Sequence, residues 1–318
     1  MRITFLTLLT TLLSTISQAQ ENKFTHCNCI ETSTKESYKV VSNGIDVESG
    51  KFKSGKRTGL WTSKNSKGIT IRKANYTNGK LDGSYELFHF DGTPKLTAEF
   101  EGGKPTGTWS YYNAKGKVIK QGSFSGNKPT GAWKIMDKKG KKVYAEYNFD
   151  SMSEIVSPNG KQYFQKGGVI RDDQSGEWMV LYLPTRDIRV ETQPIGGYML
   201  SSDLFVDYFN VPTILMNTYT HFEFNTIVKI ENGITSITSV HLLENKERFD
   251  INSHSLPFMV DTNPPSKLSR IKHSEATINF LKDQLAEYVL ITAPWVTNAK
   301  SEEIIIRTPI VINEVKRW

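Results

Sequence analysis

Aromatic residues recur along residues 50–149 at an interval of 24: Phe52, Tyr76, Phe100 and Phe124 form one series, and Trp61, Tyr85, Trp109 and Trp133 a second. Glycines keep the same interval at Gly59, Gly83, Gly107 and Gly131, and again at Gly68, Gly92, Gly116 and Gly140. An unbroken period of this length is the signature of a repeat architecture. Within each unit, apolar and polar residues loosely alternate, as in Val118–Phe124, and the glycines fall where tight turns need positive φ. Each unit therefore predicts two short strands and two turns, and four units predict roughly eight antiparallel strands in one ribbon-like sheet. At ~4.8 Å per strand, eight strands extend roughly 40 Å.

The flanks read differently. Residues 20–49 form a polar lead-in with one strand expected at Tyr38–Val41. Residues 151–192 are a junction with a turn at Pro158–Lys161 and two short strands, Glu177–Leu183 and Asp187–Thr192. From 193 to 318 the pattern predicts a small α+β domain with two helices. Tyr198–Phe209 carries apolar residues at helical spacing (Leu200, Leu204, Phe205, Tyr208). Thr226–Ile230 and Ile234–Val240 flank a Glu231–Gly233 turn. Residues 244–270 are polar and read as an inserted loop. Ser274–Val289 is the strongest helix signal, with Ser274 as a cap and Ile278, Leu281 and Leu285 on one face. Trp295 and a β-branched strand, Glu303–Asn313, close the chain. The fold class is mainly β with a C-terminal α+β domain.

The repeat motif, Gly55 and Lys56 followed by Gly59 and Trp61 with three further copies in register, resembles the bacterial variant of the MORN repeat found in YwqK-like antitoxin-type proteins. The resemblance covers 50–149 and implies an all-β hairpin array used for protein or membrane-surface contact. Asn127 stands where the earlier copies have the first glycine, and the pattern dissolves after Asn148, as in a terminal capping repeat. Over about 193–318, Gly196-Gly197, Tyr208, Glu231–Gly233, Ala276–Leu281, Trp295 and Pro309–Ile312 resemble in order the C-terminal domain of TonB-type energy transducers. That resemblance implies an α+β fold and, as an alternative function, a part in energising outer-membrane transport.

Composition sharpens the division. The chain is 37% apolar and 23% charged with a net charge of +7, which excludes wholesale disorder. Residues 50–149 hold 20 Lys/Arg against 7 Asp/Glu, and residues 151–318 hold 16 against 20, so a basic repeat block precedes a mildly acidic half. Met1–Gln20 pairs Arg2 with an apolar run to Ile16 and small residues at Ser17 and Ala19. This is the pattern of a signal peptide, residues 1–19, cleaved near Ala19. The run is short of the ~20 residues that span a bilayer; retention as an anchor is the alternative. The expected location is outside the cytoplasm, periplasmic or associated with the outer envelope.

Candidate chemistry is sparse. His26, Cys27 and Cys29 admit a strained disulfide, an intermolecular bridge or a metal site lacking a fourth ligand, and no function is assigned to them. No phosphate-binding glycine loop or nucleophile elbow occurs. The reading is of a non-enzymatic chain with no catalytic residue, cofactor or metal, and with an envelope protein as partner. Trp61, Tyr85, Trp109 and Trp133 are candidates for a stacking platform, though core packing accounts for their regularity. Lys56, Lys80, Lys104 and Lys128 are solvated turn residues or, in line, an anion-binding stripe for anionic lipid or glycan. Nucleic acid is not expected for an exported chain.

Overall fold

The computed structural model describes residues 20–24, 29–34, 36–42, 44–158, 178–179, 192–195, 204, 220–243, 253–255, 258–261, 275–297 and 299–312. The leader at 1–19, the His26–Cys27 pair, most of the junction strands, the helix expected over 198–209 apart from Leu204, and most of 244–270 lie outside them.

The fold is mostly β. Thirteen strands follow one another in chain order as a single antiparallel meander. They are β1 (Gln20–Phe24), β2 (Cys29–Ser33), β3 (Ser37–Ser42), β4 (Ile45–Lys53), β5 (Lys56–Lys64), β6 (Thr70–Thr77), β7 (Lys80–Phe88), β8 (Pro94–Glu101), β9 (Lys104–Tyr112), β10 (Val118–Ser125), β11 (Lys128–Met136), β12 (Val143–Asn148) and β13 (Ser153–Val156). The repeats occupy β4 to β12. The lead-in, expected to supply one strand, supplies β1 to β3 in the same sheet, and β13 extends it past the last repeat.

The two glycines of the motif do different work. Ser54-Gly55, Asn78-Gly79, Gly102-Gly103 and Gly126-Asn127 all have positive φ at both positions, which makes them two-residue type I′ hairpin turns. The second glycine is not part of that turn. Gly59, Gly83, Gly107 and Gly131 lie inside β5, β7, β9 and β11, also at positive φ. They sit where the register slips, between Ser49/Lys51, Ala74/Tyr76, Thr97/Glu99 and Gln121/Ser123 of the partner strand. Each is a β-bulge that bends the strand, and the next-but-one residue is the conserved-interval aromatic. The indole N–H of Trp61, Trp109 and Trp133 donates to the carbonyl of Lys51, Glu99 and Ser123, at 3.2, 3.2 and 3.1 Å, across that slip.

The two aromatic series pack against each other. They interleave into one zipper on a single face, with ring centroids 5.1 Å apart for Phe100–Trp109, 4.9 Å for Trp109–Phe124 and 5.0 Å for Phe124–Trp133. Edge and tilted geometries dominate, as the ring quadrupole favours. A third series with the same period makes room for them: Gly50, Ala74, Ala98 and Gly122. Ala74 pairs with Trp61 on one side and Tyr85 on the other, and Ala98 pairs with Tyr85. A Cβ on Gly122 would lie 2.0 Å from the Trp133 ring, and one on Gly50 2.1 Å from that of Trp61.

The C-terminal half holds one described helix, α1 (Glu275–Thr292), and a second sheet. Its strands are β14 (Trp178–Met179), β16 (Thr220–Glu231), β17 (Ile234–Leu242), β18 (Ser253–Ser255), β19 (Phe258–Asp261) and β21 (Ser301–Ile312), in the order β14-β19-β21-β16-β17 with β18 also on β21. β15 (Thr192–Pro194) and β20 (Trp295–Thr297) pair separately. β16 and β17 are the expected hairpin, closed by Asn232-Gly233 at positive φ. β18 and β19 lie in the stretch read as a loop; they pair in parallel with β21, a long-range contact that a polar local pattern does not announce.

Because Gly122 is closed over by a fully buried indole, Gly122→Ala is expected to cost about 1–3 kcal/mol through overpacking. Urea denaturation monitored by tryptophan fluorescence would show it, and an unchanged midpoint would contradict the close approach.

Candidate functional site: the docked helix and the repeat face

Strand parity places Trp61, Ser63, Arg72, Ala74, Tyr76, Tyr85, Leu87, Leu96, Tyr111, Lys120 and Ile135 on the buried face of the repeat sheet. Helix α1 covers that face. It is buried on more than one side over its second half, where Leu281, Gln284, Leu285, Glu287, Tyr288, Val289, Ile291 and Thr292 are all buried. A helix buried this broadly lies between layers. On its other side Trp295 N–H donates to Thr235 Oγ1 of β17 at 3.2 Å. The Gly233 turn abuts Phe149 and Pro129 of the repeat sheet so closely that a Cβ there would lie 2.6 Å from the Phe149 ring.

Two polar clusters fix the helix on the sheet. In the first, Arg72 donates from Nε and Nη2 to Glu287 Oε1 at 3.0 and 2.6 Å. Nη2 also donates to Tyr76 Oη at 2.5 Å, and Tyr76 in turn donates to Glu287 Oε2 at 2.9 Å. The two charged side chains are 9% and 8% exposed, so the pair is a buried one. The guanidinium stands 5.9 Å from the Tyr76 ring and 5.6 Å from that of Tyr85, filling the step between these two rings of the zipper. Burial alone would raise the Glu287 carboxyl, but the Arg72 guanidinium and its hydrogen bonds outweigh it and hold the group below its ordinary value. Burial pushes Tyr76 up to about 12, against the opposing pull of Arg72. At neutral pH the cluster is thus a carboxylate, a guanidinium and a neutral phenol.

The second cluster closes the end of α1. The last four carbonyls of a helix lack intrahelical partners, and here each finds one. Val289 O accepts from Thr292 Oγ1 at 2.9 Å, and Leu290 O from Ala293 N at 3.2 Å. Tyr111 Oη lies 2.8 Å from Ile291 O and 3.0 Å from Ala293 O. Lys120 Nζ donates to Thr292 O at 3.2 Å and reaches Ala293 O at 3.4 Å. Pro294 prevents the helix from continuing. A cation at a helix C-terminus is favourable, and the ammonium also faces the Tyr111 ring at 4.4 Å and the Trp133 ring at 5.7 Å. Burial still brings the Lys120 amine down from 10.5 to about 7.

Of the two readings of the residues singled out in the sequence, the aromatics take core packing and the lysines take solvated positions. Trp61, Tyr85, Trp109 and Trp133 are at most 1% exposed, which leaves no ring face for a ligand. Lys56, Lys80, Lys104 and Lys128 stand exposed at the first positions of β5, β7, β9 and β11. The sequence reading passed over Arg72, Tyr111, Lys120 and Glu287. A signal for two of them exists: Glu48, Arg72, Leu96 and Lys120 share the 24-residue interval, and parity with Ala74 and Gly122 turns Arg72 and Lys120 inward.

Comparisons with known proteins add no family. No family model and no curated protein matches the chain. Among solved structures, the chain is similar to a mutant of S. aureus TarM in complex with fondaparinux, alpha-GlcNAc-glycerol and UDP, at 14% identity over 31% of this chain and 20% of that one, with a TM-score of 0.22. A likeness at that score carries neither a fold nor a functional argument.

Breaking the buried pair from one side, by Arg72→Met or Glu287→Met, is expected to cost about 3–5 kcal/mol, because the other charge is left buried and uncompensated. The double variant is expected to recover most of that loss, and a double-mutant cycle from urea unfolding measures the coupling. Additive losses would mean that the two groups are independent.

Lys120 makes stability depend on pH. Its folded-state value is depressed from 10.5 to about 7, so between these values the unfolded chain binds a proton that the folded chain does not. Stability therefore rises with pH across this window, by up to about 5 kcal/mol from this group alone. Unfolding at several pH values is expected to show the slope in the parent chain and its loss in Lys120→Met; equal slopes would contradict the assignment.

Proposed function

We propose that this chain is an exported, non-enzymatic interaction or scaffold protein of the bacterial cell envelope. The repeat sheet supplies a docking surface and the C-terminal domain a protein-binding module. The observation that carries this reading is the docked helix. One face of the repeat sheet is taken up by α1, and Arg72, Tyr76, Tyr111 and Lys120 of that face are engaged in holding it. The surface left for partners is the opposite, polar face. There Lys73 pairs with Glu86 at 3.5 Å, Lys134 lies 4.0 Å from Glu146, and Gln121 donates to Ser110 Oγ at 2.9 Å. Regular cross-strand pairing of this kind makes an ordered polar surface. Export rests on the pattern of Met1–Gln20.

A second reading, a TonB-like transducer component, draws support from the order of β16, the Asn232-Gly233 turn, β17, α1, Trp295 and β21. The two differ at the N-terminus. N-terminal sequencing of the mature protein is expected to start at Gln20 under the first reading and at Met1 under the second. In the same cells, a photo-crosslinking residue at Gln121 or Lys134 is expected to trap a discrete envelope protein. No adduct at either position, or a chain that fractionates with the cytoplasm, would overturn the proposal.

A further inference from the structure

The meander has two rims, and their charges are unequal. One rim carries the type I′ turns, where Lys53, Lys56, Lys80, Lys104 and Lys128 alternate with Asp82, Glu101 and Asp150. The other carries the longer turns at 65–69, 89–93, 113–117 and 137–142. Its last two turns hold Lys115, Lys117, Lys138, Lys139, Lys141 and Lys142, every one of them exposed. No salt bridge to another described residue is made by any of the six.

Two features turn these lysines into one built patch. The turns are locked to each other: Asn113 Nδ2 donates to Lys138 O at 2.7 Å, and a Cβ on Gly140 would lie 3.1 Å from Val118 O. The one carboxylate among them, Asp137, is engaged with its own turn, accepting from Lys141 N at 2.7 Å and Lys142 N at 3.1 Å. Asn113 Oδ1 does the same in the neighbouring turn, accepting from Lys115 N at 3.0 Å and Lys117 N at 3.1 Å. The anchoring side chains point inward and the ammonium groups outward. Adjacent tips on one rim are two strands, or about 10 Å, apart.

We infer that this rim binds a linear phosphate polymer. The six cations are all lysines, point charges with three rotatable donors each, which take up phosphate oxygens without the fixed fork geometry that an arginine imposes. They follow the rim of a sheet, which is a line, so a chain-like anion can meet several at once. Between them stand Asn113, Ala114, Gly116 and Gly140, and the exposed Val143 beside Lys142 is a single aliphatic side chain, too little to enter a bilayer and not a ring to stack on a base. This inference does not rest on the protein-docking reading, which uses the open face of the sheet.

The test is titration of the full chain with inorganic polyphosphate of graded length, beside vesicles rich in anionic lipid, at several salt concentrations. Polyphosphate long enough to bridge both turns is expected to bind, with log K falling against log salt at a slope of about −4. Replacing all six lysines by Ser is expected to weaken binding at least ~10-fold at low salt, whereas Ser at Lys53, Lys56, Lys80, Lys104 and Lys128 leaves it within ~3-fold. Exposed substitutions of this kind rarely shift stability by more than ~0.5 kcal/mol, and matched thermal melts check that both variants fold. Equal losses from the two rims, no dependence on polymer length, or binding to vesicles without binding to polyphosphate would each overturn the inference.

Discussion

The contact on which the rest depends is the buried pair between Arg72 of the repeat sheet and Glu287 of α1. A meander of short hairpins has one apolar face, and hydrophobic burial alone would let a helix lie across that face in many ways, because it is non-directional. A guanidinium and a carboxylate buried together admit one arrangement. Displacing the helix by a turn would strand both charges, and an uncompensated buried charge costs far more than a displaced leucine. The zipper is adapted to the same point. Its second unit has Tyr85 where the others have Trp, and the guanidinium occupies the step between Tyr76 and Tyr85.

The far end of the helix shows the opposite balance. Lys120 enters the sheet at the same repeat position as Arg72, two units further on, but meets carbonyls and ring faces in place of a carboxylate. Helix-end dipoles and aromatic quadrupoles offset less of the desolvation of an ammonium than an opposite charge does. Glu287 is accordingly held ionised while Lys120 is drawn toward neutrality. One repeat position therefore supplies both a fixed and a titratable attachment. The reason is the helix register, which presents a side-chain anion at one site and backbone carbonyls at the other.

What was legible in the sequence was local. The 24-residue interval led to hairpins and buried aromatics, since turn glycines and alternating residues act over a few positions. The Ser274–Val289 periodicity led to α1, and Glu231–Gly233 to its hairpin. The bulges were missed because Gly55 and Gly59 lie close enough to be read as one turn, although only the first closes the hairpin. β1 to β3 were missed in part because the lead-in lacks the glycine and aromatic interval that marked the rest. The docking could not be seen at all in local pattern, since Arg72 and Glu287 are 215 residues apart. Strand parity alone would have flagged Arg72 and Lys120 as charges facing inward and in need of partners.

A sheet that gives one face to its own C-terminal helix has its other face and two rims left for the outside. Those three surfaces differ for a physical reason. The open face neutralises itself through cross-strand pairs such as Lys73–Glu86. On the I′ rim Asp82 and Asp150 accept from Gly102 N at 3.0 Å and Gly131 N at 3.2 Å, and the five lysines are spread one or two to a turn along its whole length. The longer turns need an acceptor to tie down their backbone N–H groups, and Asp137 and Asp91 serve that need, with Asp91 accepting from Thr93 N at 2.9 Å. Their charge is thereby drawn into the turn, while Lys115, Lys117, Lys138, Lys139, Lys141 and Lys142 stand exposed at the last two tips. Concentrated positive charge on that rim is thus a product of turn chemistry acting on a lysine-rich repeat, and it arises where neighbouring tips are held in contact.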